Sequence, residues 1–154
     1  MALIVQKFGG TSVADIKRIQ NVANRVRQTH DRGNDMVVIL SAMAGTTDHL
    51  IGLANEATTS PDRRELDVLL ATGEQTTAAL LAMILKGLGY KAQSMLGHQA
   101  EVVTDCEYGN ARILEIGAHR IKCLLSDRNI VVVAGFQGVD IRGNITTLGR
   151  GGSD

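Results

Sequence analysis

Two stretches of this chain, Met36 to Leu40 and Ile130 to Ala134, are apolar at every position and rich in β-branched residues. Side chains of a strand point alternately to opposite faces, so a strand with no polar position must be covered on both. That pattern belongs to sheets with helices on either side. Ahead of the first run, Ile16, Ile19, Ala23 and Val26 recur at three- and four-residue steps, the spacing of one helical face, while Lys17, Arg18, Arg25 and Arg27 fall mostly elsewhere. Further strands are expected over residues 2–8, 90–95, 101–104, 111–116 and 145–148. Helices are expected from Asp48 to Ala57, over 118–126, and in a long stretch that Ser60 and Pro61 open and that ends near Gly87, with a joint at Thr72-Gly73. Alternating strands and helices predict an α/β fold, a three-layer αβα sandwich with a mainly parallel open sheet. At 154 residues and 16.4 kDa the chain is one domain or a piece of one.

Charge and composition remove several functions. Lys and Arg number 16, as do Asp and Glu, so no net positive field draws a phosphate backbone or an anionic membrane. With 3% aromatics and no Trp, platforms for stacking single-stranded bases are also missing. No nucleic acid and no membrane are therefore expected as partners, each apolar run being read as too short to span a bilayer. Cys106 and Cys123 lack CxxC spacing or a nearby His pair and read as small core residues, and His30, His49, His98 and His119 show no ligand spacing, so no metal site is assigned. A reducing, cytoplasmic setting is the expectation.

Three small-residue loops follow three of the expected strands: Gly9-Gly10-Thr11-Ser12, the segment from Ser41 to Asp48, and Gly135 to Gly138. In open parallel sheets ligands sit beyond the carboxyl ends of the strands, so these loops are expected to meet at one crevice. Glycine lets backbone amides approach an anion, and Lys7 stands just before the first loop, which makes that loop a candidate phosphate cradle. Neither GxxxxGK[ST] nor GxGxxG occurs. The chain ends in Gly149-Arg-Gly-Gly-Ser-Asp154, glycines and a cap with no helix after them.

Taken in order, Lys7-Phe8-Gly9-Gly10-Thr11-Ser12-Val13, Ser41 to Asp48, Thr72-Gly73-Glu74, Val133 to Gly138 and Thr146 to Asp154 closely resemble the aspartate kinases of the amino acid kinase family, over the whole chain. The resemblance implies a carbamate kinase-like fold, incomplete at its C-terminus. It also implies transfer of the ATP γ-phosphoryl to the side-chain carboxylate of L-aspartate, the entry to lysine, threonine and methionine. ATP with Mg²⁺ is then a co-substrate, no tightly bound cofactor is expected, and a homo-oligomer is expected.

Residue by residue, the resemblance places Lys7 on the transferring phosphoryl, with Gly9, Gly10 and Ser12 around the phosphates. Ser41 and Thr47 would hold the reacting carboxylate, Glu74 the ammonium, Arg150 the α-carboxylate with its planar fork, and Ser153 would assist. Asp154 would orient Lys7. Ser12 and Ser153 read equally well as plain caps, whereas Glu74 in an apolar helical stretch is harder to set aside, since an unpaired buried carboxylate is costly. The absence of a His or Cys constellation suits this chemistry, because an aspartate side chain with a pKa of about 3.9 is already an anionic nucleophile.

The resemblance further implies that residues 1–154 are the N-terminal, substrate-binding half of such a domain, without the nucleotide-binding half and the regulatory ACT domains. Alone, that half is expected to be inactive. A non-catalytic binding or structural module, and an amino acid kinase acting on another carboxylate, stay open as alternatives.

Overall fold

The computed structural model describes residues 2–149 and 152–154. Strand β1 (Leu3–Phe8) leads through a single 3-10 turn at Gly10–Val13 into α1 (Ile16–Asp31) and then β2 (Asp35–Leu40). Two helices follow, α2 (Thr46–Ala57) and α3 (Arg63–Gly87), before β3 (Ala92–Met95), β4 (Val102–Thr104) and β5 (Ile113–Ile116). The chain closes with α4 (His119–Ser126), β6 (Ile130–Ala134), β7 (Gln137–Val139) and β8 (Ile145–Thr147).

The four strands β1-β2-β6-β3, in that spatial order, form one parallel sheet. The two apolar runs are its central strands. Met36, Val38, Leu40, Ile130 and Val132 face α1 and α3, packing with Ile19, Val26, Leu81 and Leu85. On the opposite face Val37, Val131 and Val133 meet Leu125 of α4. The three-layer arrangement is therefore present. Each of these fully buried aliphatic side chains contributes about 1.5–3 kcal/mol by leaving water.

The first strand, expected over residues 2–8, is covered on one face only. Its alternate residues Leu3 and Val5 are 59% and 58% exposed, because β1 lies at the sheet's edge and α4 does not reach it. Helix α1 buries Ile19, Val22, Ala23 and Val26, whereas Ile16 in its first turn lies outside that face and is exposed. Asp15 caps this helix by accepting from the Arg18 amide at 2.8 Å.

Helix α3 begins two residues past Pro61. Its cap is Asp62, which accepts from the Glu65 amide at 3.1 Å, and it runs unbroken through Thr72-Gly73 for 25 residues. That length, with its composition, is enough to cross a membrane, contrary to the expectation from shorter apolar runs; half of its apolar window is instead buried within the protein. Both cysteines are exposed rather than core, Cys106 in the β4–β5 loop and Cys123 on the outer side of the short α4.

A second, mixed sheet of order β5-β4-β7-β8 was not legible as a separate layer. Part of the expected Gly135–Gly138 loop is its strand β7, since Gln137 and Gly138 pair with Thr147 and Thr146. Asp140 holds the β7–β8 turn. Burial alone would push its carboxyl up, yet hydrogen bonds from the Asn144 side chain and amide, the Tyr108 hydroxyl and the Arg142 amide hold it at about 2.

Asp67 joins this sheet to α3. Fully buried, it accepts from the Thr147 amide and hydroxyl, both at 2.8 Å, and from the Gly109 amide at 3.0 Å. Replacing Asp67→Ala strands three donors in a dry interface and should lower unfolding free energy by about 3–5 kcal/mol. Urea unfolding of the two chains checks this, and a loss below about 1 kcal/mol would refute the assignment.

Candidate functional site

Phe8, Leu40 and Ala134 are level with one another across the parallel sheet: Phe8 is in register with Leu40, and Leu40 with Ala134. The three small-residue segments thus leave the sheet at the same height. Backbone bonds keep them together, the Ser41 amide donating to Phe8 O at 3.1 Å and the Gly135 amide to Leu40 O at 2.9 Å. A Cβ on Gly10 would stand 3.0 Å from Ala42 O, so the first two loops touch as closely as backbone allows.

These loops enclose a cavity of about 410 Å³. Lys7, Gly10, Ser41, Thr47, Glu74, Ser153 and Asp154, seven of the ten residues singled out from the sequence, line it. Lys7 pairs through Nζ with the Asp154 carboxylate, so an ammonium at the end of β1 is oriented by the last residue of the chain. Gly9 and Ser12 do not line this cavity. Gly9 caps the 3-10 turn, its carbonyl accepting from the Ser12 amide at 3.0 Å, and Ser12 faces a separate recess with Thr11, Arg18, Asn21 and Arg25. Arg150 lies outside the described residues.

Glu74 sits in the middle of α3 and is 4% exposed. Its Oε1 accepts from the Ala42 amide at 3.2 Å, while Oε2 is buried and has no partner among the described residues. Burial drives its pKa from 4.5 to about 7, against the backbone hydrogen bonds from Glu74 and Ala42, which lower it. Such a group is a poor structural choice and a good receptor for a cation. Thr77, one turn on, donates to Ser41 O at 2.8 Å and ties the same helix to the same loop.

Other lining groups went unassigned in the sequence. The Ala42 amide has no side-chain signature; only the small-residue run pointed to backbone donors there. Phe136 lines the cavity in a left-handed conformation, φ 65°, and its amide donates to Ser153 Oγ at 2.8 Å. Non-glycine residues take that conformation only where surroundings impose it. Ser153 thus has a bonded role inside the site. Behind it, Gln137 bridges the Ala71 carbonyl and the Gly97 amide.

Another recess, about 380 Å³ and lined by Gln93, Met95, Gln99, His119, Arg120 and Cys123 among others, lies beside α4; it gathers none of the loop ends and no buried unpartnered atom. Among the described residues no three His, Cys, Asp or Glu side chains group as metal ligands would.

The Glu74 carboxyl makes stability depend on pH. Between pH 4.5 and about 7 the folded chain keeps a proton that the unfolded chain has lost, so stability falls as pH rises through that window, by about 3 kcal/mol in all. In Glu74→Gln this component is gone, and the variant should exceed the parent by about that amount at pH ~8 and by little near pH 5. Urea melts at the two pH values read the difference. An unchanged pH profile would contradict the buried, unpaired assignment.

Residues 2–154 match the model of the amino acid kinase family. An aspartokinase of Bacillus sp. (strain MGA3) is 57% identical over 154 residues, all of this chain and 38% of the relative, so the chain spans little more than a third of that protein's length. Among solved structures, the aspartate kinase from Synechocystis superposes with a TM-score of 0.79 at 44% identity, covering 98% of this chain and 24% of that one. E. coli aspartokinase III, solved in complex with aspartate and ADP, gives a TM-score of 0.82 at 25% identity, covering 99% and 44%. With the family model matched from the second residue to the last, and the family's loops gathered at the ends of three in-register strands, this chain belongs to the amino acid kinase family.

Proposed function

We propose that this chain is the substrate-binding half of an aspartate kinase domain, whose reaction moves the ATP γ-phosphoryl to the side-chain carboxylate of L-aspartate. The observation that carries the reading is the buried Glu74 carboxylate, with one oxygen unpartnered, beside a cavity that also holds the Lys7 ammonium. A zwitterionic amino acid with a second carboxylate fits that division of charge.

In this reading the amino acid's ammonium takes Glu74 Oε2, and Arg150 takes the α-carboxylate in a bidentate grip. Ser41 and Thr47 hold the reacting carboxylate. Lys7, kept in place by Asp154, offsets charge on the moving phosphoryl, while Gly10 and the neighbouring amides face the phosphates. The reacting carboxylate is already ionised, so the residues position and neutralise and no general base is required. Ser153 serves by keeping the Phe136 amide and the cavity wall fixed. Gly9 and Ser12 act on the phosphates at most from the rim, given where they sit. Mg²⁺ would enter with the nucleotide as part of the co-substrate and would offset charge on its phosphates.

In this reading a nucleotide-binding half, and any regulatory domain, would come from outside these residues, which cover 38% of the relative. Leu3, Val5, Leu114 and Ile116 stay more than half exposed, which supports a chain that works inside a larger assembly, a homo-oligomer in our reading. The two exposed thiols suit a reducing cytoplasm.

Calorimetry with L-aspartate and, separately, ATP tests the proposal. One aspartate site is expected, weakened at least ~10-fold in Glu74→Ala. A hydroxamate assay on the 154 residues alone should show negligible turnover, because donor and acceptor are not aligned. No heat with aspartate would end the half-site reading, and normal turnover would end the division of labour.

A further inference from the structure

Helix α3 carries a glycine where its backbone comes nearest the loop after β2. A Cβ built on Gly73 would lie 2.8 Å from Ala42 Cβ, 3.3 Å from Thr46 Cγ2 and 3.9 Å from Leu50 Cδ1. The first distance is one that real Cβ atoms essentially never show. Glycine deep inside a helix is otherwise unfavourable, and alanine normally improves such a position. Here the helix's own preference and the packing oppose one another. The atom that would be struck belongs to Ala42, whose amide holds Glu74 Oε1 at 3.2 Å, and Glu74 is the next residue along α3.

We propose that Gly73 is a positioning residue for Glu74: lacking a side chain, it lets α3 close on the Ser41–Gly45 loop to the distance at which the Ala42 amide binds Oε1 and leaves Oε2 to the cavity. The functional meaning rests on the reading of Glu74 as the receptor of an amino acid's ammonium. The three atoms that a new methyl would meet are all carbons, so a substitution there changes distance and adds no charge. Lys7 and Asp154, the other charged groups lining the cavity among the described residues, are not among those atoms. Thr77 on the same helix and the Ser41 carbonyl form a second tie, one turn away, that depends on the same approach.

The test uses the 154-residue chain with Gly73→Ala, the double variant Gly73→Ala/Ala42→Gly, and Gly52→Ala as a control on α2, where a Cβ meets nothing within 4 Å. The first readout needs no ligand. A carbon-detected pH titration follows the Glu74 carboxyl while the nitrogen shift of the Ala42 amide is recorded in parallel. In the parent chain and in Gly52→Ala that amide should move with the Glu74 titration, in Gly73→Ala it should not, and in the double variant the amide of residue 42 should move again, because the obstructing methyl has been removed from the other side.

The second readout is calorimetry with L-aspartate: binding about tenfold or more weaker in Gly73→Ala, recovering to within about threefold of the parent in the double variant. An Ala42 amide that still follows Glu74 in Gly73→Ala, or a double variant that does not recover, overturns the proposal. Should Gly73→Ala fail to fold, the double variant decides alone, recovery upholding the proposal and failure overturning it. If the titration behaves as stated but the parent binds no aspartate, the positioning role stands and the amino acid reading falls.

Discussion

Everything at the candidate site depends on the in-register ending of three parallel strands. Phe8, Leu40 and Ala134 finish at one level because the hydrogen-bond ladder between β1, β2 and β6 holds one register: a shift of one residue would exchange the side chains fitted against α1 and α3, Val38 and Val132, for those fitted against α4, Val37 and Val131. Burial of those aliphatic side chains sets the register, and the register sets where the loops begin. Lys7, Ser41 and Gly135 are brought together by packing inside the sheet rather than by attraction between the loops themselves.

The long helix α3 answers to two demands. Its apolar face, with Leu81 and Leu85, completes the core, while Asp67 near its start and Glu74 at its middle are buried acids with opposite fates. Asp67 is satisfied by three donors and secures the second sheet. Glu74 keeps Oε2 without a partner among the described residues, an arrangement that opposes folding at neutral pH and favours a cationic guest. The same buried chemistry is structural in one place and receptive in the other, and the count of hydrogen bonds separates them.

Much of this was readable in residue order. The uninterrupted runs at 36–40 and 130–134 announced central strands, since no other element of that length hides both of its faces. Lys7, Gly10, Ser41, Thr47, Glu74, Ser153 and Asp154 were named from the family resemblance, Lys7 and Gly10 also from the glycine loop and Glu74 from its apolar helix, and the cavity includes each of them. Less readable was β7, because Gln137 and Gly138 look like loop residues until Thr146 and Thr147 pair with them across a turn that Asp140 holds. Strand propensity is weak where the partner strand, not the residue, decides. Ser12 fell outside the cavity because a 3-10 turn of four residues rotates consecutive side chains to different sides, and Gly9 because it precedes that turn as its cap, neither of which a motif written as a string conveys.

By itself, the sequence determined the class of fold, the identity of the loops and the charges available to them, since apolar periodicity and small-residue runs are local properties that burial acts on directly. The tertiary structure decided which backbone amide meets Glu74, that Oε2 goes unpaired, and that α3 can lie against the loop after β2 only because residue 73 has no side chain. Those are distances between segments about thirty residues apart, and such a distance exists only once the core beneath both of them has formed.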